Sequence, residues 1–142
     1  MKATNPLNAY RETQIKTANQ VKLIIMLYDG AIKQVNLAME AMKEKHRKFD
    51  AMNNSIIKAQ DIISELMVSL DFDHGGDIAR NLFSLYIFMN RQLLDANVKK
   101  LIKPLEDVKR MLMELRAAWV AVSKRTDLES GSQNGNGINI AG

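Results

Sequence analysis

Residues 17–44 read TANQVKLIIMLYDGAIKQVNLAMEAMKE, and the spacing of their apolar side chains is that of a long amphipathic helix. Val21, Ile24, Tyr28, Ala31, Val35, Ala38 and Met42 follow alternating steps of three and four residues, which places all of them on one stripe of an α-helix. Ile25, Ile32 and Met39 widen the stripe. Thr17, with Gln20 three residues later, fits a capping box, so the spacing predicts a helix from 17 to about 44.

The same step pattern recurs three more times. Met52, Ile56, Ala59, Ile63, Leu66 and Leu70 predict a helix over about 50–70, opened by Asp50 as N-cap. After Gly75-Gly76, the series Ala79, Leu82, Tyr86, Met89, Leu93 and Ala96 predicts a helix over about 77–100. Pro104 forbids simple continuation but suits the first turn of a new helix. Glu106 and Asp107 complement the dipole of that helix, and Leu105, Val108, Leu112, Leu115, Trp119 and Val122 carry it over about 104–125. Short connections between four amphipathic helices predict an all-α, antiparallel, up-down four-helix bundle over 17–126. Residues 1–16 read as a short N-terminal arm. Residues 127–142, ending in SGSQNGNGINIAG, read as a flexible Gly/Asn/Ser-rich tail with little apolar surface to offset the entropy of ordering.

Length and composition agree with this reading. A chain of 142 residues, 46% hydrophobic, can build one sizeable core. It contains no cysteine, so a disulfide framework and a thiolate metal site are both excluded, and the composition suits a reducing cytoplasm. The first sixteen residues lack the apolar run of a signal peptide, and stable membrane insertion is not expected. Lys plus Arg exceed Asp plus Glu by 20 to 16, too modest a surplus for a nucleic-acid footprint.

Enzyme chemistry is not expected either. The two histidines, His46 and His74, have no partner at metal-ligand spacing. The loop Asp71-Phe72-Asp73-His74-Gly75-Gly76-Asp77 has two aspartates in calcium-loop positions, but Leu82 stands where the bidentate acid belongs. There are no paired Glu-x-x-His motifs, no phosphate-cradling glycine loop and no recognisable nucleophile setting. No cofactor is implied. The sequon Asn53-Asn54-Ser55 falls in a predicted helix and reads as chance.

More apolar surface is present than one core needs. Only Lys22 interrupts residues 21–28, and only Ser84 interrupts 82–89, so Phe83, Leu85, Ile87 and Phe88 cannot all face the central core. In an up-down bundle the first and third helices run parallel, so both segments fall in the same half of the molecule. That half is the expected binding surface. Two covers within the protein itself compete with a partner: the arm, with Leu7, Ala9, Tyr10 and Ile15, and a symmetric dimer. Lys43, Lys45, Arg47, Lys48, Lys99, Lys100 and Lys103 gather at the opposite end, as dipole-complementing, solvated cations or as a dock for an acidic surface.

In order along the chain, Asn8-Ala9-Tyr10, Met26-Leu27-Tyr28-Asp29-Gly30-Ala31, Ile57-Lys58-Ala59-Gln60-Asp61-Ile62-Ile63 and Glu65-Leu66 resemble the FliS family of flagellin chaperones. Ser69-Leu70-Asp71, Gly75-Gly76-Asp77-Ile78-Ala79, Asn81-Leu82, Tyr86, Met89-Asn90-Arg91, Leu94, Ala96-Asn97 and Glu114-Leu115-Arg116 before Trp119 continue the resemblance, which covers roughly 8–122. It departs at Phe72-Asp73-His74 and ends before 123–142.

The resemblance implies a cytoplasmic export chaperone. Its partners would be the C-terminal segment of flagellin, which it keeps from premature polymerisation, and the flagellar type III export apparatus. A monomer or weak homodimer is expected. The client would order on the surplus apolar surface as a helix in a groove. The residues expected to contact it are Leu27, Ile62, Phe83, Tyr86, Ile87 and Leu94 through apolar surface, and Asn81, Asn90 and Asn97 through amides that both donate and accept. Leu7 and Tyr10 would serve an N-terminal cover, while Tyr28 and Met89 fit core or contact equally. Shape alone also admits a homodimeric helical adaptor or regulator, or an anionic-lipid or nucleic-acid binder using the basic end.

Overall fold

A computed structural model describes the backbone of residues 6–44 and 48–141, and the side chains of 17, 19–44 and 48–128. Four helices follow one another: α1 (Pro6–Lys43), α2 (Phe49–Val68), α3 (Phe72–Lys99) and α4 (Lys103–Ala141), with no strand among the described residues. The chain divides into two compact units. One comprises Met26–Arg116, and the other contains α1 up to Ile25 and α4 from Ala117.

The first unit is a helical bundle built on the predicted stripes. Tyr28, Ala31, Val35, Ala38 and Met42 of α1 are buried, as are Met52, Ile56, Ala59, Ile63 and Leu66 of α2. Ala79, Tyr86, Met89, Leu93 and Ala96 of α3 join Leu105, Val108 and Leu112 of α4 in the same core. Each buried Leu or Ile contributes about 1.5–3 kcal/mol on leaving water, and among the described residues no charged or amide-bearing residue is fully buried there. Leu70, Leu82 and Leu115 are half-buried instead, because each lies where its stripe runs out toward a helix end or drifts off the core face. In the second unit Val21 and Ile24 are buried, whereas Trp119 and Val122 are half-buried.

Specific contacts join the helices of the first unit. The hydroxyls of Tyr28 and Tyr86 lie 2.5 Å apart in the core, so α1 and α3 meet at these two residues. Gly30, the one glycine inside α1, permits close approach to α2: a Cβ there would sit 3.3 Å from Ile62 Cδ1. An ion pair from Arg116 to Asp29 ties α4 to α1.

The helix limits depart from the sequence reading in instructive ways. α1 begins at Pro6 rather than Thr17, since proline is well placed at a helix start and no breaker follows before Gly30. The residue before α2 is Lys48, which makes no side-chain cap; Asp50 sits inside the first turn and favours the helix through the dipole. α3 gains a leading turn because Asp71 caps it, accepting from the backbone N–H groups of Asp73 and His74 at 3.1 Å each. Gly76, at φ 52° and ψ −125°, kinks the chain between that turn and the long predicted helix. α4 carries on to Ala141, past the predicted limit near 125, in a stretch that has no proline after Pro104.

Candidate functional site

α2 and α3 lie side by side and antiparallel, as their paired residues show. Lys100 Nζ stands 5.4 Å from the ring centroid of Phe49, Asn97 Nδ2 donates to Asn53 Oδ1 at 2.6 Å, and Gln60 Nε2 donates to the Asn90 carbonyl at 3.2 Å. Numbers rise along α2 as they fall along α3. The 3-4 spacing that buries Met52, Ile56 and Ile63 turns Asn53, Ile57, Gln60, Ser64 and Met67 to an adjacent face. On α3 the same offset carries Phe83, Ile87, Asn90, Leu94 and Asn97. These two rows make a seam as long as α2, whose 20 residues span about 30 Å.

The seam alternates apolar surface with amides. At its middle, a shallow depression of about 290 Å³ is lined by Gln60, Met67, Ile87, Asn90, Arg91 and Leu94. Leu94 is 55% exposed and Ile57 44%, well above what a side chain serving only the core would show. One end is aromatic: Phe72 meets Phe83 edge-on, with ring centroids 5.8 Å apart. The other end is Phe49 beneath Lys100, a cation–π pair in which Lys100 also donates to Asn97 Oδ1 at 2.8 Å.

Asn90 is incompletely paired. Its Nδ2 reaches Ser64 Oγ at 3.4 Å, while its Oδ1 is buried with no hydrogen-bond partner among the described residues. A buried acceptor left unpaired costs about 1–3 kcal/mol. A side chain kept in that state beside an apolar depression is the sort of polar anchor a binding groove uses to fix its ligand.

The sequence-predicted contact residues divide into groups. Ile87, Asn90, Leu94 and Asn97 come together on the seam, with Phe83 at its end. Asn97 has both ends of its amide engaged within the protein, by Asn53 and Lys100, and so braces the seam. Tyr86 is corrected more firmly: it is 1% exposed, in the core against Tyr28, because its stripe position outranks the polarity of its hydroxyl. Burial first, and the Tyr28 oxygen second, push its phenol pKa upward. Tyr28 and Met89, which fitted either role, are core.

Elsewhere, Ile62 is half-buried against Gly30 of α1, Leu27 is half-buried on α1, and Asn81 is exposed on α3. The side chains of Leu7 and Tyr10 lie outside the described residues, as do Lys45 and Arg47 of the basic end. In that end, Lys48 pairs with Glu44, Lys99 with Asp95 and Lys103 with Asp107, so three of its cations are offset locally.

Phe49, Asn53, Ile57, Gln60 and Met67 went unnoticed in the sequence as members of the site, and Lys100 was read only as part of the basic end. The row 53, 57, 60, 64, 67 was available as a second 3-4 series beside the core stripe of α2. Only a partner row on α3 gives it meaning.

Among the described residues no cluster of three or more His, Cys, Asp or Glu could hold a metal ion, and no helix is long and apolar enough to cross a membrane. The arrangement is suited to holding an elongated amphipathic ligand by apolar contact and a few polar anchors.

Comparison with known proteins agrees with that character. Residues 3–126 match the family described as "Flagellar protein FliS". Over 119 residues the chain is 32% identical to the flagellar secretion chaperone FliS of Bacillus subtilis, covering 84% of this chain and 86% of that protein. It is 35% identical over 117 residues to the protein of the same name from Vibrio cholerae, covering 80% and 85% of the two chains. The FliS of Escherichia coli is 31% identical over 109 residues, 76% of this chain and 79% of its own. With a family match across nearly all of the bundle and relatives above 30% identity over most of both chains, this helical protein belongs to the FliS family of flagellar proteins.

Proposed function

We propose that the chain is a flagellar export chaperone that binds the C-terminal segment of flagellin along the α2·α3 seam, holds it from polymerising in the cytoplasm and hands it to the export apparatus. The observation that carries this reading is the seam itself: Ile57, Met67, Ile87 and Leu94 form an apolar track over α2 and α3 in a protein whose relatives are named flagellar secretion chaperones. That family role is a binding one and involves no catalysis.

A disordered amphipathic segment loses several kcal/mol of its gross interaction energy in ordering on its partner. A track about 30 Å long, with exposed Leu94 and Ile57 and a polar anchor at Asn90, offers the extended contact needed to offset that cost. Filament contacts of the client and chaperone contacts would then exclude one another, which is how binding blocks premature assembly.

The N-terminal arm enters this reading as a competing cover carrying Leu7 and Tyr10, and the working species is a monomer or weak homodimer that needs neither nucleic acid nor a cofactor. Calorimetric titration with a synthetic flagellin C-terminal peptide, alongside scattering to fix the mass, tests the whole. Saturable one-to-one binding supports it. No binding by a chain that is a stable dimer would favour a homodimeric adaptor instead. Removal of residues 1–14 should tighten the peptide's affinity, and an unchanged affinity would dismiss the arm as a cover.

A further inference from the structure

The seam has two chemically different ends, and the difference has a direction. At the end where α2 begins, Lys100 stands over Phe49 and bonds the Asn97 amide, and among the described residues it has no carboxylate partner. Lys48, Lys99 and Lys103 nearby each have one. At the end where α3 begins, Asp71 and Asp73 flank Phe72. Asp71 is held ionised below the usual carboxylate range by the His74 backbone N–H and ring, and Asp73 has no cationic partner among the described residues.

Lys100 adds a second observation. It occupies the left-handed region at φ 55°, the position after a helix where glycine is ordinarily cheapest. A lysine there, with its ammonium held over an exposed aromatic ring and with no counter-charge among the described residues, is a positioned cation and not a freely solvated one.

The dipoles of α2 and α3 do not choose a direction for a ligand, since the two helices are antiparallel and their end charges oppose each other at each end of the seam. Side-chain charge therefore decides. A bound helix carries a partial positive charge at its N-terminus and a partial negative charge at its C-terminus.

Taken with the flagellin reading, on which this inference rests, the geometry points to a client helix that lies along the seam in one orientation: its N-terminal turn at Asp71 and Asp73, and its C-terminal turn, bearing a carboxylate, on Lys100 and Phe49. The client then runs parallel to α3 and antiparallel to α2, and it reads the chaperone by charge at both ends while Leu94 and Ile87 hold its apolar face between them. A segment of reversed charge order would meet like charges at each end, so the seam selects direction as well as amphipathicity.

The test uses the full chain and the flagellin C-terminal peptide in two versions, nitroxide-labelled at one terminus or the other, with amide resonances followed on binding. The C-terminal label is expected to broaden Phe49 and residues 99–101, and the N-terminal label residues 72–77. In parallel, Lys100→Asn removes the charge while keeping a residue that tolerates the left-handed region. It should weaken the peptide about two- to fivefold, as an exposed charge contact does, and flatten the salt dependence.

Broadening in the reverse order, or Lys100→Asn binding with unchanged affinity and salt dependence, overturns the orientation while leaving the flagellin reading intact. A peptide that does not titrate at all overturns both.

Discussion

Leu93 and Leu94 are neighbours on α3 with opposite duties, and truncating each separates folding from binding. Leu93 is 0% exposed in the core, whereas Leu94 is 55% exposed on the seam. Leu93→Ala removes fully buried methyl groups and leaves a cavity, a change that costs about 2–5 kcal/mol. For a chain of this size that lowers the thermal midpoint by on the order of 10 °C. Leu94 gains less than half of its burial on folding, so Leu94→Ala should cost about 1 kcal/mol or less in stability. Its remaining surface is what a client would cover, worth about 1–2 kcal/mol, or roughly five- to thirtyfold in affinity. The assay is urea denaturation of each variant beside calorimetric titration with the flagellin peptide under conditions where both are folded. The expected result is a double dissociation: Leu93→Ala is unstable but binds normally, and Leu94→Ala is stable but binds poorly. Should Leu94→Ala bind as tightly as the parent chain, the seam is not the client surface.

Three further outcomes follow from the core and from the start of α3. Burial raises the Tyr86 phenol, so the unfolded chain releases that proton first as pH climbs; stability should therefore be full below about pH 10 and decline above it, and Tyr86→Phe should lessen the decline in alkaline denaturation curves. Gly76→Ala places a side chain at φ 52° and ψ −125°, a conformation that costs about 1–3 kcal/mol for any other residue, so it should lower the urea midpoint although a Cβ there meets nothing within 4 Å. Asp71 is lowered chiefly by the His74 N–H, so its cap is present above the ordinary Asp pKa and is lost as pH falls through the lower folded value; protection of the Asp73 and His74 amides, relative to their intrinsic exchange rates, should fall below about pH 4, and Asp71→Ala should lack that protection at every pH.

The core was legible in the sequence because helical periodicity is local. Val35, Ile56, Met89 and Val108 are each flagged by neighbours three and four residues away, and each is buried. The helix starts were less so. A capping box at Thr17 and an N-cap at Asp50 are reasonable local signals, yet α1 opens at Pro6 and Asp50 falls within its helix, since a cap competes with whatever the upstream residues can already form.

The site was half legible. Surplus apolar residues in 82–89 announced a surface beyond the core, but within that run nothing separates Tyr86 from Ile87 by composition; one faces Tyr28 in the core and the other lines the seam. The class of fold, the four stripes and the resemblance to FliS are readable along the chain, because those depend on spacing within a helix. That Phe49 stands beneath Lys100, that Asn97 is occupied by Asn53, and that Asn90 keeps an oxygen unpaired among the described residues emerges only once the helices pack. Such pairings depend on the register between two helices, and register is set by packing across the seam, where residues forty or more positions apart in the chain become neighbours.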